Sequence, residues 1–327
     1  MRCIVTGATG FIGSHLAESL LNEGHEVLCP VRDPSKPRHL ILPKANIFPI
    51  GDLEKEIRSN SNFDYVFHLA GATRALNYED YRIANVYLTR DLLDLILKTF
   101  DLKRFKRFVF VSSQAASGPA LDAQTSVSEY DPPNPVSLYG KSKLEAEEVV
   151  KEYGNSIPYV IIRPSTVFGP RDTDVLGVFK SCKYRLIPCL TGRKRQVSVV
   201  FVEDLVTGIK RAAFLSKSIN QIYFIANPKP VVWRQFIADI AELMGVHPVI
   251  LPMPAFFLKT VGFFTDIIGN LLGKPLLLRS EKIAEIDQWY WICSSQRAYH
   301  DLGWFPQNSL KENLKKTIDW YYQEGWI

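Results

Sequence analysis

Short apolar runs alternate with amphipathic stretches through the first half of the chain. Cys3-Ile4-Val5 reads as a strand, and Phe11 to Glu23 as a helix stopped by Gly24. Glu26 to Val31 and Asn46 to Ile50 read as the second and third strands, and Tyr65-Val66-Phe67-His68-Leu69 as the fourth. Tyr81 to Thr99 has the period of a long amphipathic helix. Phe108 to Val111 is a fifth strand, Leu138 to Tyr153 a helix ended by Gly154, and Tyr159 to Ile162 a sixth strand. Strands that are apolar throughout and alternate with helices predict a parallel sheet covered on both faces, a doubly wound α/β fold. After Pro164 the rhythm changes: prolines cluster, apolar helices lengthen and aromatics rise. Val199 to Val202 and Ile222 to Ile225 read as strands returning to the first sheet.

The first strand runs into Thr6-Gly7-Ala8-Thr9-Gly10-Phe11-Ile12-Gly13, which opens a helix. Strand, glycine loop and helix in this order make a phosphate cradle. Glycine permits the tight turn and the close approach of backbone N–H groups, and the helix N-terminus adds partial positive charge. The expected ligand is a nicotinamide dinucleotide on a Rossmann sheet. The expected organisation is interleaved. Residues 1–165 and 197–226 form the dinucleotide-binding domain, and residues 166–196 and 227–327 a smaller, mostly helical substrate-binding region. The second strand ends at Val31, followed by Arg32 and Asp33. Arg32 can fork onto a 2′-phosphate with Lys36 or Arg38 nearby, whereas Asp33 can serve the ribose hydroxyls of NAD. The expectation is NADP, with NAD as the alternative.

Tyr139-Gly140-Lys141-Ser142-Lys143 places a Tyr and a Lys four residues apart, on one face of the helix after the fifth strand. A free phenol is too weak a base at neutral pH, and a neighbouring ammonium brings it toward working range. Ser112 and Ser113 end the fifth strand, at the sheet edge where doubly wound folds bind ligands.

Composition narrows the picture by exclusion. The chain has 327 residues, 46% hydrophobic and 22% charged, enough for a large core without a staple. Cys3, Cys29, Cys182, Cys189 and Cys293 show no paired or metal-ligand spacing, and the histidines are scattered. No metal site is expected, and a reducing, cytoplasmic setting is. The formal charge of +5 is mild and not concentrated, so no nucleic-acid partner is expected. The basic knot Lys103, Arg104, Lys106, Arg107 reads as a solvated turn, and Arg193-Lys194-Arg195 as a loop within reach of an anion. Arg2 to Thr6 already reads as strand, so no signal segment is expected. Leu251 to Leu278 is apolar but is broken by Lys259, Asp266 and Lys274, by Pro252 and Pro254, and by Gly262, Gly269 and Gly273. It is read as apolar helices, buried or partly exposed, around a cleft. No spanning segment is expected, and interfacial membrane contact is the second reading. Phe256, Phe257, Leu258, Phe263 and Phe264 are expected either to line a pocket or to form the core of the small region.

Taken together, the glycine loop, Gly51-Asp52-Leu53, His68-Leu69-Ala70-Gly71, Asn85, Ser112-Ser113, Tyr139 to Lys143, Arg163 to Pro170, Val202 to Leu205 and Asp301 to Pro306 resemble the extended short-chain dehydrogenase/reductases, the NAD-dependent epimerase/dehydratase family. The resemblance covers nearly the whole chain and is nearest to 3β-hydroxysteroid dehydrogenase-like and dihydroflavonol reductase-like members. It implies Tyr139 as acid/base, Lys143 as ligand of the nicotinamide ribose and modulator of Tyr139, and Ser113 as the group orienting the substrate oxygen. It implies cofactor contacts from Gly7, Thr9, Gly10, Phe11, Ile12, Gly13, Arg32, Asp52, Leu53, Leu69, Ala70, Gly71, Tyr139, Lys143 and Pro164. Substrate contacts are expected from Thr73, Ser113, Gln114, Thr166 and Val167. A homodimer through the helices near Tyr81–Thr99 and Leu138–Tyr153 is likewise implied.

Departures from the family pattern bear on substrate. Sugar 4,6-dehydratases carry Asp-Glu after the hydroxyl residue, where this chain has Gln114-Ala115. Nucleotide-sugar epimerases carry an Asn where this chain has Thr166, and an Arg where it has Val197, with Arg195 two residues earlier. The expected activity is hydride transfer between nicotinamide and a hydrophobic hydroxy/keto substrate, steroid-, terpenoid-, flavonoid- or acyl-like. The alternatives are a nucleotide-sugar epimerase and a redox-silent NADP-binding regulator or scaffold.

Overall fold

A computed structural model describes residues 1–35, 47–59, 62–192, 194–276 and 278–327. Lys36, Arg38, Asn46 and Arg193 lie outside the described residues. Seven parallel strands form the central sheet: β1 (Arg2–Thr6), β2 (Glu26–Val31), β3 (Ile47–Pro49), β4 (Tyr65–His68), β5 (Arg107–Val111), β6 (Tyr159–Pro164) and a late strand, Gln221–Ile225. Their spatial order is late strand, β6, β5, β4, β1, β2, β3. The order reverses at β1, so a crevice opens at the carboxyl ends between β1 and β4.

Successive strand residues divide between two cores, because side chains alternate across a pleated sheet. Cys3, Val5, Val27, Phe67, Val109 and Ile162 face helices α1 (Phe11–Asn22) and Val202–Phe214. Ile4, Leu28, Val66, Phe108, Phe110 and Ile161 face α2 (Leu53–Ser59), α4 (Leu88–Thr99) and α5 (Leu138–Glu152). The short helix α3 (Tyr78–Tyr81) precedes α4, joined by a π-helical segment, Arg82–Tyr87. The long helix therefore starts three residues before the expected Tyr81, capped by Asn77, which accepts from the Asp80 N–H at 2.9 Å. A π turn gives a helix local extra width, and such turns gather at functional sites.

One strand does not return to the main sheet. β7 (Thr166–Phe168) takes Val199–Phe201 as a parallel partner in a separate pair. The position beside β6 is filled by Gln221–Ile225, which leaves the earlier segment nowhere to join. The rest of the C-terminal region comprises α6 (Leu176–Lys183), β8 (Leu186–Leu190), β9 (Gln196–Val197), β10 (Val199–Phe201), α7 (Val202–Phe214), β11 (Gln221–Ile225), β12 (Val231–Val232) and α8 (Trp233–Leu243). There follow β13 (Val249–Met253), α9 (Ala255–Leu272), α10 (Ser280–Ile286), β14 (Tyr290–Trp291), α11 (Gln296–Leu302) and α12 (Leu310–Gln323). Its core centres on Phe168, Phe179, Phe201, Phe236, Ile318 and Tyr321.

Two expectations about side chains fail. Arg107 is not part of a solvated turn. It is buried in β5 and donates to the Ser218 hydroxyl at 2.6 Å and the Ala212 carbonyl at 3.3 Å. Phe256, Phe257, Phe263 and Phe264 neither fill a core nor close a cleft: each is more than half exposed, and of the five only Leu258 is buried. The five cysteines are free and buried.

Candidate active site

The loop after β1 closes through the Gly10 N–H donating to Gly7 O at 2.9 Å, and Ser14 N–H to Gly10 O at 3.0 Å. A side chain at position 13 would put Cβ 2.2 Å from Gly7 O, so only glycine lets α1 start this close to the strand. Gly10 caps α1 without a side-chain hydrogen bond, and the first turn holds no acidic residue. The positive end of a twelve-residue helix is thus left for an anion. Phe11 and Ile12 turn toward the C-terminal core.

Across the crevice, Thr6 Oγ1 lies 2.7 Å from His68 Nδ1 and accepts from the Ala70 N–H at 3.2 Å. His68 Nε2 lies 3.0 Å from the Thr89 hydroxyl, and burial drives the imidazole down to about 3, so the ring stays neutral. Thr6, Ile50, Leu53, His68, Ala70, Leu88 and Leu92 line a cavity of about 170 Å³. Leu53 and Ala70 fall on its wall, Leu69 packs partly into the core, and Asp52 is exposed in the turn between the lining residues Gly51 and Leu53. Arg32 is exposed just past β2, and Asp33 accepts from the Ser35 N–H at 3.0 Å and hydroxyl at 2.6 Å. An anion-ready helix end beside a small, largely apolar cavity fits a dinucleotide in pyrophosphate and adenine portions.

The reactive cluster forms where β5 meets α5. Ser113 caps the short turn Gln114–Ala116, its Oγ accepting from the Ala115 N–H at 3.1 Å. Ser137 caps α5, accepting from the Gly140 N–H at 3.0 Å. A Cβ at Gly140 would stand 2.3 Å from Ala115 O. Glycine there brings the helix against the turn and sets the Tyr139 phenol beside Ser113, whose side chain lowers its pKa. Lys143, one helical turn on, is buried. Its ammonium donates to the Val111 carbonyl at 2.9 Å and lies 4.2 Å from the Phe110 ring centre.

The electrostatics correct the simple Tyr–Lys picture. Burial raises the Tyr139 phenol above its ordinary value, the Glu285 carboxylate adds to this, and the Ser113 hydrogen bond opposes it. Burial pushes Lys143 down to about 7, with Glu147 opposing. The ammonium is turned onto Val111 O instead of the phenol, because the end of β5 supplies the nearest acceptor.

Sequence reasoning named Asn85 and Arg163 without a role and missed Glu147 and Glu285, which together hold this cluster. Glu147, fully buried one turn beyond Lys143, accepts two bonds from Arg163, at 2.9 and 2.6 Å, and one from Ser112 at 2.5 Å. The i, i+4 spacing from Lys143 was a visible signal. Asn85, carried by the π segment, accepts from the Ala72 N–H at 2.8 Å and donates to Ala72 O at 3.1 Å and Ser142 Oγ at 2.8 Å. It fastens the loop after β4, with Gly71 against it, to α5. Glu285, from α10, accepts from the Ser137 hydroxyl at 2.7 Å. It had no sequence signal, since 148 residues separate the two.

On the substrate side, Gln114 is 1% exposed, and neither atom of its amide has a hydrogen-bond partner among the described residues. Pro164, Thr166 and Val167 continue from β6 into β7. Thr73 is exposed on the loop after β4, its carbonyl 3.4 Å from the Tyr81 hydroxyl, and the next residue, Arg74, pairs with Asp174. Val197 pairs with Val231 in a small sheet. Arg195 is committed: it stacks 4.2 Å over Trp289 and lies 3.3 Å from Asp287.

The geometry agrees with comparisons against known proteins. The profile of the NAD dependent epimerase/dehydratase family matches residues 3–226. The chain belongs to that family. Among its relatives, a ceramide reductase of Caulobacter vibrioides is 26% identical, covering 99% of this chain and 95% of the relative. A UDP-glucose 4-epimerase of Vibrio cholerae is also 26% identical, over 98% and 95%. In fold, the chain matches UDP-glucose 4-epimerase of Thermus thermophilus, solved in complex with NAD, with a TM-score of 0.77. The identity there is 22%, covering 98% of this chain and 99% of that one. The family and these relatives include reductases and epimerases, so an enzymatic role and nicotinamide-dinucleotide binding follow at that level.

Proposed function

We propose that this family member is an oxidoreductase, exchanging a hydride between a nicotinamide and a carbinol or carbonyl carbon of a substrate with an apolar body. The observation that carries the reading is the placement of Ser113, at the end of β5, with Tyr139 and Lys143 one turn apart on α5, at the carboxyl edge of the sheet. Ser113 and Tyr139 hold the substrate oxygen, and Tyr139 gives or takes its proton. Lys143, one turn along α5, would hold a ribose hydroxyl of the bound nicotinamide. The α1 N-terminus and loop residues Gly7, Thr9, Gly10 and Gly13 would hold the pyrophosphate, and Leu53, Ala70 and the exposed Asp52 the adenine side. Arg32 reads the 2′-phosphate of NADP. Hydride exchange is the chemistry the nicotinamide supplies when bound.

The preference for an apolar substrate rests on the diphosphate side. Thr166 and Val197 offer no amide or guanidinium there, and Arg195 is already neutralised by Asp287 and stacked on Trp289. A diphosphate taken out of water without such donors is costly. The buried Gln114 amide is left to orient a polar group beside the reacting carbon. A second reading, epimerisation of a nucleotide sugar, is favoured by the Vibrio cholerae relative. Titrating reduced-cofactor fluorescence with ceramide-like and steroid ketones, and in parallel with UDP-sugars, decides between them. Turnover of a ketone supports the oxidoreductase; tight UDP-sugar binding with no ketone turnover sinks it. Arg32→Ala is expected to weaken NADPH about tenfold more than NADH, and an unchanged ratio overturns the NADP assignment. A homodimer across α4 and α5, in the cytoplasm, completes the proposal.

A further inference from the structure

We propose that α9, with the exposed edge of β13, lies flat on an anionic lipid bilayer and holds the enzyme at its surface. Among the described residues α9 alone has the length and composition of a candidate span, yet only 17% of it is buried in the protein. At about 100° per residue its exposed apolar side chains run from Phe263 through Phe256, Ile267, Phe264 and Ile268 to Leu272, an arc of about 180°. Leu258, Gly262 and Gly269 form the opposite, buried stripe. A Cβ at Gly262 would stand 2.4 Å from Ile283 Cδ1, so this stripe is pressed against α10.

Three observations choose the occupant. First, α9 is bolted down and cannot leave the body to span a membrane. Asp266 accepts from Arg279 at 2.6 Å, and Arg279 is buried and donates to the carbonyls of Ala75 at 3.1 Å and Leu76 at 3.2 Å. Second, half the circumference of a helix is wider than the ridge another helix covers, so it fits a fluid apolar medium better than a second copy. Third, the apolar surface continues through Val249, Ile250 and Leu251 of β13, bordered by exposed cations. Lys183 and Arg185 adjoin it, Arg185 O accepting from the Val249 N–H at 2.9 Å, and Lys274 follows the helix end. A broad apolar face rimmed by cations is the chemistry of an interfacial helix on anionic lipid.

The placement also deepens the reading of substrate, and that part alone rests on the proposed function. α10 lies between α9 and the N-terminus of α5, with Glu281 accepting from the Leu138 N–H and Glu285 from the Ser137 hydroxyl. A cavity of about 380 Å³ opens among Val136, Lys259, Ser280, Ile283 and Asp287 beside them. An apolar substrate dissolved in the bilayer thus has α9 and α10 between it and the helix that carries Tyr139.

The test is flotation of the full chain with vesicles of phosphatidylcholine, alone and mixed with phosphatidylglycerol. Binding is expected on the mixed vesicles, weaker on phosphatidylcholine alone, and lowered about tenfold or more by Phe263→Glu with Phe264→Glu. Lys183→Glu with Arg185→Glu should remove mainly the salt-sensitive part. These side chains are exposed, so both variants should melt as the parent does and keep cofactor binding. Absence of binding to either vesicle, or equal binding by the Phe variant, overturns the proposal. So does resistance to alkaline carbonate extraction, which means a span, or a dimer in light scattering that the Phe variant dissolves, which means a second copy. Vesicle binding is read without turnover, so a failed oxidoreductase reading leaves this result standing.

Discussion

Two regions of the molecule invert the usual distribution of side chains, and they do so in opposite directions. At the carboxyl edge of the sheet, Glu147, Arg163, Lys143, His68 and Asn85 are buried. On α9 and β13, aromatic and aliphatic side chains stand in the open. Buried polar groups are costly unless partnered, and large exposed apolar surfaces are rare on free monomers. The inner region meets its cost with hydrogen bonds to almost every polar atom, and its unpartnered Gln114 amide lies next to Ser113. The outer region has no such cover among the described residues. The first compensates its polar groups internally, and the second leaves its apolar groups uncovered by the described residues.

The largest effect should come from breaking the inner region at its reacting atom. Tyr139→Phe removes the proton donor while keeping the ring, and turnover should fall about 10²- to 10⁴-fold with cofactor affinity retained. Unchanged turnover in a single-turnover assay would return the chain to the redox-silent reading.

Next comes the ion pair beneath it. Glu147→Leu leaves Arg163 buried without its carboxylate and should cost about 3–5 kcal/mol of stability. Adding Arg163→Met should recover much of this, because two apolar groups replace two unmatched polar ones. Urea unfolding of both variants measures it. If the double variant is no more stable than the single, the pair is not the reason the region tolerates charge.

Lys143 gives the pH test. Unfolded, its ammonium titrates near 10.5, and folded near 7. Between these values the unfolded chain holds a proton that the folded chain has lost, so stability should rise with pH from about 7 toward 10, by up to about 1.4 kcal/mol per unit. Below about 7 both states are protonated and the burial cost is fully felt. Lys143→Met should flatten that part of the melting profile. An identical slope in the variant would mean that the amine is solvated or paired in solution.

How much of this was legible in the sequence follows the same division. β1, its glycine loop and α1 depend on contacts a few residues apart, and apolar periodicity and glycine placement reveal them. Ser113, Tyr139 and Lys143 were likewise visible, because a strand end and one helical face are local features. Glu285 and Arg163 reach the cluster only through the tertiary fold. Val199–Phe201 pairs elsewhere than its apolar pattern suggests, because strand pairing is decided by which edge is free. The Phe pairs of α9 read equally well as lining or core, since apolar composition does not say which side faces the protein. That the phenol is raised by burial and not lowered by Lys143 depends on which way one ammonium points, and no spacing records that.

The smallest expected effect separates the two regions most cleanly. Phe110 is 1% exposed, packed under the cluster in the core between the sheet and α5, and Phe110→Ala should cost about 3–5 kcal/mol as a cavity opens. Phe264 is 56% exposed and has little packing to lose. Phe264→Ser should therefore shift stability by no more than about 0.5 kcal/mol in the absence of lipid. The same residue type, on the same chain, is worth several kilocalories in one place and almost nothing in the other, because burial and not identity sets the hydrophobic term. If Phe264→Ser destabilises the lipid-free protein as much as Phe110→Ala does, α9 is covered in solution by the protein itself, and its apolar arc is a core surface instead of a docking one.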